Sequence, residues 1–423
     1  MIRRFLKNIF HLSLGCILTC LTLASCWDKP VDDDLTDMMI LVYMAGDNNL
    51  SGYVDSNLKS MQHSLAKAGC DSKVVAFVDK PGSRSFMLML DGSRTDTLKT
   101  YNENMDSSDS QTLSMFIDYV LQNYKAHSYG LLMWSHGMGW IPTDQLHYVA
   151  KNLGYAPGRD CQNVVMWHPE GRRDPFLPDT RCVAMESTGS EYTAMEIDDM
   201  ADAIPDGAFN FIAFDACYMG CVEVAYELRN KCRYIISSSA EVVGRGFPYS
   251  TMTEYLAKGE LLNASRDFYE YYSCQSGWSR MATISLVRTS ELEGLASCMK
   301  RIMDSAELPV SKEQLEGIQC YDRFGEMYFV SGDVHFTHSV FYDLESVASA
   351  FCKDGTLMNE FRDRLARCIL YEAATPHLFE GEKYEIAVRE HSGLSVYVPT
   401  IDDENSGLND DHRNTAWGKA VGY

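Results

Sequence analysis

The chain has no surplus of basic charge: 37 Lys and Arg stand against 59 Asp and Glu, for a formal net charge of −22. A protein that grips polyphosphate needs a basic face, so nucleic acid is excluded as a partner. An acidic surface suits basic peptides as substrates, and it equally serves plain solubility. No two cysteines have the CxxC spacing, and Cys217 and Cys221 have no histidine close by in sequence, which argues against a zinc site. Past the first residues nothing in the composition signals disorder. With 46% hydrophobic and 23% charged residues among 423, the chain is long enough for a large core, a catalytic domain with an appended subdomain.

The apolar stretch Ile9 to Leu23 follows Arg3, Arg4 and Lys7 and is short for a spanning helix, so residues 1–25 read as an export signal. The stretch ends in Leu23-Ala24-Ser25-Cys26, which resembles a bacterial lipobox, with cleavage before Cys26 and lipid on its thiol. Simple secretion after Ser25 and an uncleaved anchor are the competing readings. Several acyl chains on one residue exceed what stable membrane attachment requires. Residues 26–37 are polar and acidic and read as a tether. An acidic run directly after a lipidated cysteine resembles surface-export signals of some Gram-negative lipoproteins, which points to the cell envelope, the outer membrane and its surface.

Fourteen cysteines look like a disulfide framework until they are placed. Cys16 and Cys20 leave with the signal and Cys26 carries lipid; the remaining eleven are an odd number spread thinly through regular patterns. Most read as small buried apolar residues, although Cys161 and Cys182 have the separation to pair within one loop.

Hydrophobic periodicity predicts alternating strands and helices. Strands are expected at 40–44, 74–78, 131–134, 211–214 and 234–239, with helices at 53–68, 112–124 and 221–228 and a hairpin with arms 86–90 and 95–101. Thr193-x-x-Glu196 has the form of a capping box opening a helix that runs to about Ile204. Strand and helix in this order imply an α/β fold with a doubly wound, mostly parallel sheet. The catalytic domain is expected over 38–255 with an insertion at 141–191, and a helix-rich C-terminal subdomain packed on the sheet over 256–423, with strands around 283–287 and 395–398.

Two strands end in reactive residues. The run FIAF (211–214) leads into Asp215-Ala216-Cys217, and the run ending at Trp134 leads into Ser135-His136-Gly137. Open α/β sheets bind ligands at the carboxyl ends of their strands. Alone, such a histidine is more often a packing residue and such a cysteine inert. Together on neighbouring strands they supply a thiol nucleophile and a proton donor, and the backbone N–H groups of Gly137 and Cys217 are natural oxyanion donors.

LVYMAGDNNL (41–50), WSHGMGW (134–140) and DACYMGCVE (215–223) resemble the signature blocks of the clostripain-type cysteine peptidases, which have a caspase-like fold. The resemblance continues through ATISLV (282–287), YDLESVA (342–348) and GLSVYVP (393–399) and so covers most of the mature chain. It implies a dyad of His136 and Cys217 working through an acyl-enzyme, with cleavage after Arg or Lys. It also implies that Asp215 lies in the pocket for the substrate's basic side chain; capping of the following helix is the plain alternative. Glu241 would add a second wall carboxylate, and Asn48 at the first strand's end is a further candidate.

No metal is needed for this chemistry. Some relatives depend on calcium, yet Asp32–Asp34 and Asp198, Asp199, Asp202 have no ligand spacing and read as tether and solvated helix face. Relatives also cut themselves at a basic residue between the histidine and the cysteine, where Lys151, Arg159, Arg172, Arg173 and Arg181 lie. Two rival functions stay open: a catalytically silent surface lipoprotein that binds peptides or protein partners, and acyl transfer to an amine. The sequence leaves the oligomeric state undetermined.

Overall fold

The computed structural model describes residues 35–142, 183–188, 191–324, 339–382, 385–403 and 407–423. The export signal, Cys26, Cys161, Cys182 and the five basic residues of the insertion lie outside these residues. Among the described residues no helix is long and apolar enough to cross a membrane.

β1 (Thr36–Ala45) is apolar along nearly its whole length and buried at all but one position, as a central strand covered on both faces must be. It starts two residues earlier than the expected domain boundary, so Thr36 and Asp37 belong to the sheet and not to the tether. Gly69, left-handed at φ 68°, ends the helix α1 (Ser51–Ala68), which leads to β2 (Ser72–Asp79). The expected hairpin is β3 (Phe86–Leu90) with β4 (Thr95–Thr100). α2 (Ser110–Asn123), capped by the Asp109 carboxylate, returns the chain to β5 (Ala126–Trp134).

β8 (Phe209–Asp215) and β9 (Cys232–Ser237) follow, separated by the short helix α4 (Val222–Glu227). With β10 (Thr283–Arg288) and β12 (Ile369–Ala374) from the C-terminal part, the strands form one sheet in the order β12-β10-β9-β8-β5-β1-β2-β3-β4. The run from β9 to β2 is parallel throughout, so the loops after β1, β5, β8 and β9 all emerge at one edge. The chain winds outward from β1 to β4, then crosses back to lay β5 on the other side of β1. That reversal makes the β1/β5 crevice a switch point, where such sheets bind ligands.

Two expectations are corrected. Thr193 is not a helix cap: it lies in β7 (Glu191–Met195), paired antiparallel with β6 (Val183–Thr188), and its hydroxyl accepts from Ser108 Oγ at 2.7 Å. α3 (Ile197–Ala203) is entered instead through Glu196, whose side chain makes no capping bond. The end of the insertion is therefore a small hairpin, whose strands are too short to declare themselves by alternation. The C-terminal part, expected to pack on the sheet with a strand of its own around 283–287, joins that sheet instead. β10 (Thr283–Arg288) and β12 (Ile369–Ala374) extend the central sheet by two antiparallel strands, and residues 36–423 form one compact unit.

Helices cover both faces. α1 packs with α5 (Tyr249–Ala257), which in turn packs on α6 (Leu261–Ser273). On the other side lie α2, α3, α4, α7 (Leu292–Met303), α9 (Gly355–Cys368) and α11 (Ala416–Val421); α8 (Leu344–Phe351) joins this set through α7 and α9, and α10 (Leu408–Asn414) through α11.

Candidate active site

Because β5 and β8 are hydrogen-bonded neighbours with Trp134 opposite Asp215, the residues that follow each strand leave the sheet side by side. Ser135 ties this edge together, its N–H donating to Asp215 O (3.4 Å) and its hydroxyl to Ala45 O at the end of β1 (3.0 Å). His136 and Cys217 line one cavity of about 20 Å³, walled also by Leu50, Trp134, Asp215 and the loop 242–246. Such a space admits no more than a water molecule.

The Cys217 loop is strapped down on its far side. Tyr218 N–H donates to Ala240 O (3.0 Å) and Gly220 N–H to Ser238 O (2.7 Å). Tyr218 is left-handed at φ 58°, an uncommon state for an aromatic residue. It is held there by stacking on Phe341 (4.7 Å, 12°) and by its hydroxyl bond to Glu241. Gly137 presses directly on the backbone of Cys217: a Cβ there would stand 2.4 Å from Cys217 O and 3.1 Å from Cys217 N. Any larger residue would force the two loops apart.

The thiol is held in a closed arrangement. Cys217 Sγ accepts from Val242 N–H (3.3 Å) and faces Val242 O at 3.7 Å. Burial, followed by the nearby Glu241 charge, pushes the thiol's pKa far up, so it is neutral. Burial also holds His136 down to about 3. Its Nε2 lies 2.6 Å from Asn49 Oδ1. An amide oxygen only accepts, so Nε2 carries the proton and Nδ1, buried and without a hydrogen bond among the described residues, is the free base. The pair is thus a neutral acid and a neutral base, not an ion pair.

Asp215 lies in the cavity wall, 5% exposed. Its Oδ2 accepts from Phe247 N–H (3.0 Å) and Tyr249 OH (2.5 Å), and it makes no capping bond to α4. Burial outweighs these two donors and raises its pKa to about 6. Among the described residues no cation is hydrogen-bonded to it.

Two candidates stand elsewhere. Glu241 is held by Tyr218 OH at 3.1 Å, behind the Cys217 loop, and does not line the cavity. Asn48 spends both ends of its amide on the backbone, donating to Ala45 O and accepting from Leu50 N–H (both 2.9 Å), and so builds the turn. The residue missed in sequence is its neighbour Asn49, the partner of His136. The Asn48-Asn49 pair was the signal; which of the two faces inward depends on the turn's geometry. Asp198, Asp199 and Asp202 lie on the exposed side of α3.

The clostripain family pattern matches residues 42–164 and 158–417. The chain is 28% identical over 258 residues to clostripain of Hathewaya histolytica, a match that takes in 54% of this chain and 44% of that protein, so it spans under half of the relative's length. The crystal structure of an inactive zymogen of a C11 protease from Parabacteroides distasonis is 28% identical, with a TM-score of 0.72 over 92% of this chain and 98% of that one. A secreted C11 cysteine protease of Bacteroides thetaiotaomicron shares the fold at 23% identity, with a TM-score of 0.72 over 92% of this chain and 99% of that one. The caspase-like sheet, the position of the two loops and a family pattern that reaches from residue 42 to residue 417 lead to one conclusion: the chain belongs to the clostripain family.

Proposed function

We propose that the protein is a cysteine endopeptidase that cuts after Arg or Lys, with Cys217 as nucleophile and His136 as its general base and acid. The observation that carries this reading is the convergence of His136, Cys217 and Asp215 on one cavity at the sheet's carboxyl edge. Cys217 Sγ attacks the scissile carbonyl carbon while its proton passes to His136 Nδ1. The tetrahedral oxygen is received by the N–H groups of Gly137 and Cys217. His136 then protonates the departing amine, and water, deprotonated by the same nitrogen, releases the acid and restores the thiol. Asn49 holds the imidazole in the tautomer this requires. Asp215 receives the substrate's cation; a guanidinium suits its carboxylate in bidentate fashion.

A cavity of about 20 Å³ takes no arginine side chain, and the thiol is occupied by Val242. Opening requires the loop 242–246 to yield, and a cut in the insertion between His136 and Cys217 is the event that would release it. The relative from Parabacteroides distasonis is itself an inactive zymogen. Export, with lipid on Cys26 and attachment to the outer membrane, rests on the signal and lipobox alone.

Turnover of arginyl peptides by Cys217→Ala and His136→Ala tests the dyad. Cys217→Ala should be inert, and His136→Ala should fold and turn over slowly or not at all. Wild-type hydrolysis by Cys217→Ala would overturn the assignment. A peptide-binding protein without catalysis would bind arginyl peptides and release them uncut in every variant.

A further inference from the structure

The two loops that carry the dyad run on past it, and their far ends meet. The His136 loop ends in Trp140, and the Cys217 loop leads to Glu223 in the first turn of α4. Both rest on His412 of α10. His412 Nε2 lies 3.1 Å from Glu223 Oε1, and the imidazole meets the Trp140 ring edge-on, with centroids 5.0 Å apart at 70°. Tyr397 completes the contact: its N–H donates to the same Glu223 oxygen (2.9 Å), and its ring lies 5.0 Å from Trp140 and 4.9 Å from His412. The Tyr397 hydroxyl is fixed in turn by Asp403 and Asn409, each at 2.7 Å. The side chains of Glu223 and His412 are both 0% exposed.

The loops themselves touch between the dyad and this junction. A Cβ on Gly139 would stand 2.8 Å from Tyr218 O and 3.1 Å from Cys221 Sγ, so the spacing of one loop sets that of the other. A buried carboxylate–imidazole pair is a poor source of net stability, because both groups are taken out of water; its best-attested use is to fix register. An apolar filler would pack the same space without specifying where Glu223 stands relative to Trp140. A misplacement of about 1 Å between reacting groups is enough for a rate loss of about a hundredfold.

We propose that His412 is a positioning residue: by gripping Glu223 behind Cys217 and Trp140 behind His136, it sets the separation of the two reacting side chains. It touches neither of them. The proposal rests on the reading of His136 and Cys217 as the dyad.

Full-length variants test it on arginyl peptides, with melting temperature measured alongside. His412→Phe keeps the ring against Trp140 and Tyr397 and removes the donor; His412→Gln keeps a donor for Glu223; Glu223→Gln keeps the shape and removes the charge. The expected result is a fall in kcat of at least about tenfold for His412→Phe with KM changed less than about twofold, and recovery of most of that loss in His412→Gln. Should His412→Phe not fold, Glu223→Gln carries the same expectation of a kcat-selective loss. Unchanged kcat, a loss confined to KM, or equal losses in the Phe and Gln variants that follow melting temperature would overturn the proposal. Cys217→Ala is run beside them. If it still turns over, the dyad reading falls and the positioning role with it; if it is inert while His412→Phe works at the wild-type rate, the positioning role alone falls.

Discussion

Replacing Asp215 by Asn separates charge recognition from every structural role this residue has. Both donors, Phe247 N–H and Tyr249 OH, converge on Oδ2, so one amide oxygen can take over both bonds and the local shape is kept. What is lost is a desolvated negative charge in a wall of the cavity that also holds Cys217. Leaving a buried charge unpaired typically costs about 2 to 5 kcal/mol, or about 30- to 5,000-fold in kcat/KM for arginyl peptides. Leucyl peptides should be cut as before. The same carboxylate predicts a pH profile. Its pKa is raised to about 6, so kcat/KM for arginyl substrates should climb as pH passes about 6 and then level off, since that ratio reports the free enzyme. His136, held down to about 3, does not supply that limb.

In Asp215→Asn the limb should vanish. Stability follows with the opposite sense. The folded chain binds this proton more tightly than the unfolded chain does, so the stabilisation is complete below about pH 4 and is lost as pH rises through about 6; the cost to the wild type at pH 8 is of order 3 kcal/mol. Asp215→Asn should therefore melt higher than wild type at pH 8 and match it near pH 4. Glu241→Gln serves as the control, since Glu241 is engaged by Tyr218 and stands outside the cavity lining; it should leave the arginyl preference intact. An equal loss of kcat/KM on arginyl, lysyl and leucyl peptides in Asp215→Asn would refute the pocket.

Two further outcomes follow from the same geometry. Asn49→Ala frees the imidazole to turn and should lower kcat by about 10- to 100-fold with little change in KM, whereas Asn48→Ala should lower melting temperature and leave kcat alone. Purified wild-type protein should convert with time into two associated fragments cut between residues 141 and 191, and Cys217→Ala should stay whole; mass spectrometry of the new ends decides.

The sheet was legible because its central strands are buried on both faces. A run such as FIAF has no alternation to confuse and ends sharply where Asp215 leaves the sheet. Gly69 marked a helix end in the same way, since a left-handed residue there needs no side chain. The edges were harder. β6 and β7 are short strands of a separate hairpin, and Thr193 copies a capping box by spacing alone. Of the site, the His136 and Cys217 loops could be placed because strands that follow one another in such a sheet usually lie side by side. Which way a side chain turns did not follow. Asn48 and Asn49 differ by one position in a turn, and Glu241 and Val242 by one position in a loop; in each pair the second residue reaches the proposed dyad, Asn49 at His136 and Val242 at Cys217. His412 lies 195 positions beyond Cys217 (412 − 217), and only packing brings it behind the Cys217 loop.

The central claim is that Cys217 is a nucleophile served by a pocket for a basic side chain. Covalent labelling of the turnover-competent protein by an arginyl electrophilic ketone, followed by peptide mapping, tests it most directly. A single adduct on Cys217, lost in Cys217→Ala and weakened in Asp215→Asn but not for a leucyl ketone, is the predicted result. Full labelling of Cys217→Ala, or an adduct on another of the free thiols, would contradict it.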